Sequence, residues 1–281
     1  PFQLQEQGTL IAAEAAHIHR ELLAAADLAC KAQVWDRCIN TSERTREAID
    51  WKQRFPMPFH DAVIAKANSI GLDPAYVYGL IRQESRFIMD ARSHVGASGL
   101  MQVMPDTARQ MAGVIGETFE LARLTRDAGY NARLGAAYLM GLRERFGTSV
   151  ALVAAGYNAG PGRPARWLRD FGDLRRDMDP VEWVELIPFD ETRNYVMRVT
   201  EAMPIYRARL HGEPAPIVPT WDLTGGGLMP PPVARLTLAL SARPVAAEDA
   251  GRAHGSRSGA GPPGAALSAA MDPGFRYAAP G

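Results

Sequence analysis

Along most of this chain apolar residues recur at three- and four-residue intervals, the period of helices that bury one face. A first long pattern covers TLIAAEAAHIHRELLAAADLACKA, residues 9–32, and a second covers VWDRCINTSERTREA, residues 34–48, suited to pack against it. The pair has the form of one unit of an α-helical repeat array. FPMPFH, residues 55–60, interrupts the pattern with two prolines and marks a boundary. From Phe59 to about Leu210 the helical patterns are DAVIAKANSIG, DPAYVYGLIRQESRF, PDTARQMAGVIG, DAGYNARLGAAYLMGLRERFG, SVALVAAGYNAG, GRPARWLRDFG, DPVEWVELIP and DETRNYVMRVTEAMPIYRARL. Short connections with glycine or proline join them. Two open on an Asp-Pro pair, an N-cap followed by proline at the first helical position. No strand pattern intervenes, so a mainly α domain is predicted over residues 56–211.

Beyond about His211 the pattern fades. Eleven of the chain's 21 prolines fall in the last 70 residues, and glycine, serine and alanine fill most of the remainder. Such sequence buries too little apolar surface to offset its ordering entropy. Residues 212–281 are therefore expected to form a disordered, dispensable tail, with VARLTLAL (233–240) its one strand-like run.

Composition narrows the function classes. Lys plus Arg and Asp plus Glu both number 31, which gives no net field toward nucleic acid or an anionic membrane. No apolar run approaches the roughly 20 residues of an integral membrane segment, and no signal-peptide pattern opens the chain. It begins at Pro1, as a fragment or processed product would. The two cysteines, Cys30 and Cys38, fit no zinc spacing, and no metal or other cofactor is expected. On one continuous helix they would lie about 12 Å apart, too far to bridge, so they are read as two core thiols. A disulfide between adjacent helices is the alternative in an oxidising compartment.

One side chain conflicts with its helix. In DPAYVYGLIRQESRF the apolar stripe is Val77, Leu80, Ile81 and Ile88, and Glu84 projects into its middle. Burial and the nearby helix C-terminus both disfavour the anion, which suits a general acid that must hold its proton at neutral pH. The alternatives are an ion pair with Arg82 or Arg86, or a frayed helix end. Three further stretches carry polar groups able to face a cleft. SHVGASGLMQVMPDTA is a loop expected to expose Ser93, Ser98 and Gln102 beside Met101 and Met104. AAGYNAGPGRP lacks a phosphate-loop signature but places Tyr157 and Asn158 before a tight turn. IPFDETRNYV puts Glu191 in the first turn of a helix that also carries Tyr195.

In this order ESRF, GASGLMQVMP, GYNAG and ETRNYV resemble the catalytic domain of the soluble lytic transglycosylases of bacterial cell walls, over roughly residues 55–210. WDRCINTSERTR likewise resembles helices that precede that domain in the long periplasmic members. The resemblance implies a lysozyme-like α catalytic domain over 56–211. It makes residues 1–55 a remnant of an α-superhelical or linker domain. It also implies cleavage of the β-1,4 bond between N-acetylmuramic acid and N-acetylglucosamine, with a 1,6-anhydromuramoyl product and a periplasmic location. Peptidoglycan glycan strands would be the partner, with other cell-wall enzymes as further candidates. Glu84 matches the family's catalytic glutamate. Ser85, Ser93, Gln102, Met104, Tyr157, Asn158, Glu191 and Tyr195 are the substrate-binding positions it implies, while Asp90 matches no catalytic position. Gly156 departs from the family's usual alanine. The competing functions are a goose-type lysozyme hydrolase and a non-catalytic peptidoglycan-binding module.

Overall fold

A computed structural model describes residues 2–46 and 48–226. Thirteen helices and no strand occur among the described residues, and none of these helices is long and apolar enough to cross a membrane. α1 (Phe2–Lys31) and α2 (Trp35–Glu43) form a hairpin. The chain reverses between them through Gln33, whose φ is 59°. Cys30 and Cys38 are joined as a disulfide across that reversal, with Cα atoms 4.9 Å apart. The reading of two unpaired core thiols therefore does not hold. It assumed one continuous helix, and the turn closes the distance instead.

α3 (Trp51–Arg54) is a single turn begun by Asp50, whose carboxylate accepts from the backbone N–H groups of Lys52 and Gln53. Gln53 Nε2 donates to the Leu23 carbonyl at 3.0 Å and ties α3 back to α1. There follow α4 (His60–Ser69), α5 (Pro74–Ser85), α6 (Pro105–Val114), α7 (Arg123–Arg126), α8 (Ala128–Phe146) and α9 (Val150–Ala159). α10 (Gly162–Phe171), α11 (Pro180–Glu185), α12 (Asp190–His211) and α13 (Pro219–Thr224) complete the order. The two Asp-Pro caps are present, with Asp73 and Asp179 each accepting from the first turn of its helix, and Asp127 and Ser149 cap α8 and α9 in the same way.

α5 is the axis of the domain. Tyr76, Val77, Tyr78, Leu80 and Ile81 are all buried, so neighbours cover this helix on most sides rather than on one stripe. It ends at Ser85, before Ile88. Its largest contact is with α12. Gly79 makes the close approach possible, since a Cβ there would lie 3.1 Å from the Val199 carbonyl and 3.3 Å from the Ala202 Cβ. α9 packs on α12, and α8 on α9, which closes the core around Leu134, Leu139, Leu152 and Val196.

Residues 212–226 do not belong to a disordered tail. Arg207 on α12 is 4% exposed, and its Nη1 and Nη2 donate to the Asp222 carboxylate of α13 at 2.9 and 2.6 Å. Its Nε donates to Asp73, the cap of α5, at 2.6 Å. Ser149 Oγ and Thr148 Oγ1 donate to the carbonyls of Leu223 and Gly225 at 2.5 and 2.7 Å. Composition obscured this, because the segment is anchored by Asp222, the buried Leu223 and a few carbonyl contacts rather than by an apolar stripe. The remainder of the expected tail, VARLTLAL included, lies outside the described residues.

Without Asp222 two donors of the buried Arg207 lose their partner, at a cost of about 3 kcal/mol, even though Nε stays on Asp73. Asp222→Ala, or truncation after His211, should lower the thermal midpoint by several degrees in circular-dichroism melts. An unchanged midpoint would return residues 212–226 to the tail.

Candidate active site

Glu84 is the penultimate residue of α5 and 3% exposed. Just beyond it the backbone turns left-handed twice, at Arg86 (φ 49°) and Phe87 (φ 66°). Such conformations cost roughly 1–3 kcal/mol each outside glycine and persist where packing enforces them. Here Phe87 is buried, with its ring 6.2 Å from that of Tyr78. Ser85 Oγ donates to the Leu100 carbonyl at 2.7 Å and fastens the helix end to the loop 96–103.

Across the α5–α12 contact, the Tyr195 hydroxyl donates to Glu84 Oε1 at 2.6 Å. Glu84 Oε2 is buried and has no hydrogen-bond partner among the described residues. Burial is the largest influence and pushes the Glu84 carboxyl up to about 8 from its ordinary 4.5. The Tyr195 hydrogen bond favours the anion and acts downward, while the charge of Glu191 acts upward. The group is thus protonated at neutral pH and close to releasing its proton. The ion-pair alternative fails, because both Arg82 and Arg86 pair with Glu43.

The loop after α5 is shaped by neutral hydrogen bonds. Gly99 takes φ +80°, and a Cβ on it would fall 2.1 Å from the Leu124 carbonyl and 2.3 Å from Asn131 Nδ2. Asn131, fully buried on α8, donates to the Ser98 and Leu124 carbonyls at 2.7 and 3.1 Å and accepts from the Met101 N–H at 2.8 Å. Sequence reasoning missed this residue, though a lone amide in an apolar helix is the same kind of signal that marked Glu84. The expectation of an exposed Ser98 and Gln102 is overturned. Ser98 Oγ donates to the Gly96 carbonyl, and Gln102 is 3% exposed with Nε2 donating to the Ala91 and Gly99 carbonyls at 3.1 and 2.9 Å. Ser93 is half-buried, and its Oγ accepts from the Ala97 N–H at 2.9 Å. Met104, also half-buried, caps α6.

The remaining predicted positions converge from α9 and α12. The Tyr157 hydroxyl donates to the Met101 carbonyl at 2.8 Å, and burial raises its pKa. Asn158 accepts from Thr192 Oγ1 at 2.6 Å and lies 3.5 Å from Glu191 Oε1 through Nδ2. GYNAG and ETRNYV are therefore in direct contact. A Cβ on Gly156 would meet the Leu142 side chain at 2.9 Å and the Phe146 ring at 3.3 Å, so glycine fits the packing here. Asp90 is exposed. A groove of about 1050 Å³ lies between α12 and residues 212–219 and is lined by neither Glu84 nor any predicted site residue. Among the described residues no cluster of three or more His, Cys, Asp and Glu could hold a metal ion.

Residues 61–179 match the family described as the transglycosylase SLT domain. The segment that carries Glu84 is thus similar to the SLT domain. The chain is 34% identical over 185 residues to the soluble lytic murein transglycosylase of Escherichia coli K12, a match covering 65% of this chain and 28% of that protein. The crystal structure of an inactive mutant of the lytic transglycosylase Slt of Pseudomonas aeruginosa is similar, with a TM-score of 0.62 and 37% identity over 77% of this chain and 36% of that one. The 70-kDa soluble lytic transglycosylase of Escherichia coli gives a TM-score of 0.64 and 31% identity over 72% and 32% of the respective chains. The chain thus spans about a third or less of the length of these relatives. Its helical architecture is the lysozyme-like fold of the SLT family. The SLT match contains Glu84 and the loop that frames it, but stops before Glu191 and Tyr195, which α12 carries to the same carboxyl.

Two measurements test these electrostatics. Tyr195→Phe removes the donor that favours the anion, so Glu84 should titrate above its present value of about 8 in carbon-13 NMR of the carboxyl groups. An unchanged or lower midpoint would contradict the assignment. Between pH 4.5 and about 8 the unfolded chain releases the Glu84 proton while the folded chain keeps it, so this group's contribution to stability falls as pH rises. Glu84→Gln should therefore melt higher than the parent across that window. The gap should widen by up to about 1.4 kcal/mol per pH unit, and a gap independent of pH would count against the raised pKa.

Proposed function

We propose that this chain acts on peptidoglycan as a lytic transglycosylase in the periplasm, cleaving the β-1,4 bond between N-acetylmuramic acid and N-acetylglucosamine during cell wall remodelling. The observation that carries this is the buried Glu84 carboxyl, protonated at neutral pH and paired with Tyr195 inside an SLT-family fold.

Glu84 donates its proton to the glycosidic oxygen as the bond from that oxygen to C1 of the muramoyl sugar breaks. The Tyr195 hydroxyl stabilises the carboxylate so formed. That carboxylate then takes the proton from the muramoyl C6 hydroxyl while O6 bonds to C1. The product is a 1,6-anhydro ring, and Glu84 regains its starting state. One carboxyl serves as acid and then base, unlike the two-carboxylate arrangement of most glycosidases. The cationic sugar between the two steps is held by the substrate's own N-acetyl group. Ser93, Met104, Asn158 and Glu191 are the side chains we assign to sugar contact, together with the amide oxygen of Gln102. Ser85, Tyr157 and Tyr195 border the same cleft and chiefly hold its frame.

Glu84→Gln should retain the parent's fold and glycan binding but lose at least about 100-fold in cleavage, the lower range for removing a general acid. Mass spectrometry of fragments released from purified sacculi checks this, and the parent's kcat/KM should fall above about pH 8. Undiminished anhydromuropeptides from the variant would overturn the role of Glu84. Reducing-end muramic acid from the parent would make the protein a hydrolase, and binding without turnover would make it a binding module.

A further inference from the structure

Two arginines flank Glu84 in sequence, two residues to either side, and both are drawn away from it. Arg82 Nη2 donates to Glu43 Oε1 at 2.5 Å, and Arg86 Nη1 lies 3.3 Å from Glu43 Oε2. One carboxylate at the end of α2 thus spans both guanidinium groups. Arg82 is further fixed by its Nε, which donates to the Arg54 carbonyl at 3.0 Å, and by the Phe55 ring, whose centroid is 4.4 Å from its guanidinium carbon. Glu43, Arg54 and Phe55 all precede the SLT match at residues 61–179. The helical hairpin before the catalytic domain is therefore in ionic contact with the turn that carries the acid.

The titratable groups facing Glu84 are Glu191 and Tyr195 from α12, Tyr157 from α9 and Tyr76 from α5 itself. All are neutral or acidic. We propose that Glu43 is a positioning residue for the reaction: by holding Arg86 against the N-terminal hairpin, it keeps that cation off the Glu84 carboxyl. Arg82, two residues back on the helix, faces away from Glu84 and has anchors of its own. Arg86 is the one Glu43 alone restrains, since it is 39% exposed and has no second anchor like those of Arg82 among the described residues. A cation within about 4–6 Å of a carboxyl favours its ionised form. Released from Glu43, Arg86 would draw the Glu84 proton off at a lower pH and leave less of the acid ready to donate.

This inference rests on the acid–base role proposed for Glu84, and the test separates the two. In Glu43→Gln the high-pH limb of the kcat/KM profile should move down by about one unit, with the plateau rate little changed. Adding Arg86→Gln to that variant should return the limb to its original place even though any loss of thermal stability remains. A purely structural brace would lower stability and rate without moving the limb, and that result would overturn the proposal. If Glu43→Gln does not fold, Glu43→Asp, with its carboxylate drawn back by one methylene, carries the same test: a lowered limb supports the proposal and an unmoved limb overturns it. Carbon-13 NMR titration of Glu84 in the same variants needs no turnover. A parent that releases no anhydro products defeats the functional assignment, while the NMR midpoint still decides the role of Glu43.

Discussion

The site depends on one balance, the burial of a single carboxyl against a single neutral donor. An isolated carboxylate is too costly to place in an apolar interior, so Glu84 stays protonated there. One phenol hydroxyl, reaching it from a residue 111 positions later in the chain, keeps the anion within reach. A group in this state can give up a proton and take one back within the same cleft. More donors would fix it as an ionised base, and none would leave it an acid that does not release its proton.

Much of the surrounding structure serves to keep that balance undisturbed. Ser85, Tyr157, Gln102 and Asn131 all spend their polar atoms on backbone carbonyls or N–H groups of the loop 96–103 and its borders. These contacts shape the loop beside Glu84 without bringing a positive charge to it. The strong charge pairs stand at the periphery. Arg207 is matched by Asp73 and Asp222 at one end of α5, and Arg82 and Arg86 by Glu43 at the other. Around the loop, shape is set by neutral groups, and the arginines at the two ends of α5 are matched by carboxylates.

How much of this could be read beforehand depended on the range of the interaction. Local signals served well. The Asp73–Pro74 cap and the three- and four-residue period foretold α5, and the apolar setting of Glu84 foretold its raised pKa. The four motifs pointed to the family, yet they could not show that Asn158 binds Thr192 or that the phenol of Tyr195 rests on Glu84. Those contacts cross more than thirty residues and depend on the α9–α12 and α5–α12 packing angles. Cys30 and Cys38 were misread because a helical pattern does not announce where it reverses. Residues 212–226 were misread because proline content masks an anchor as small as Asp222. Asn131 carried a local signal of the right kind, in a helix with no motif to draw notice to it.

The two ends of α5 are held by parts of the chain that a family match leaves out. Asp222 and Arg207 lie beyond residue 179, and Glu43 lies before residue 61. The SLT match thus delimits a shorter stretch than the one that braces the acid. A segment cut at residues 61 and 179 would keep Glu84 yet lose both grips on the helix that carries it.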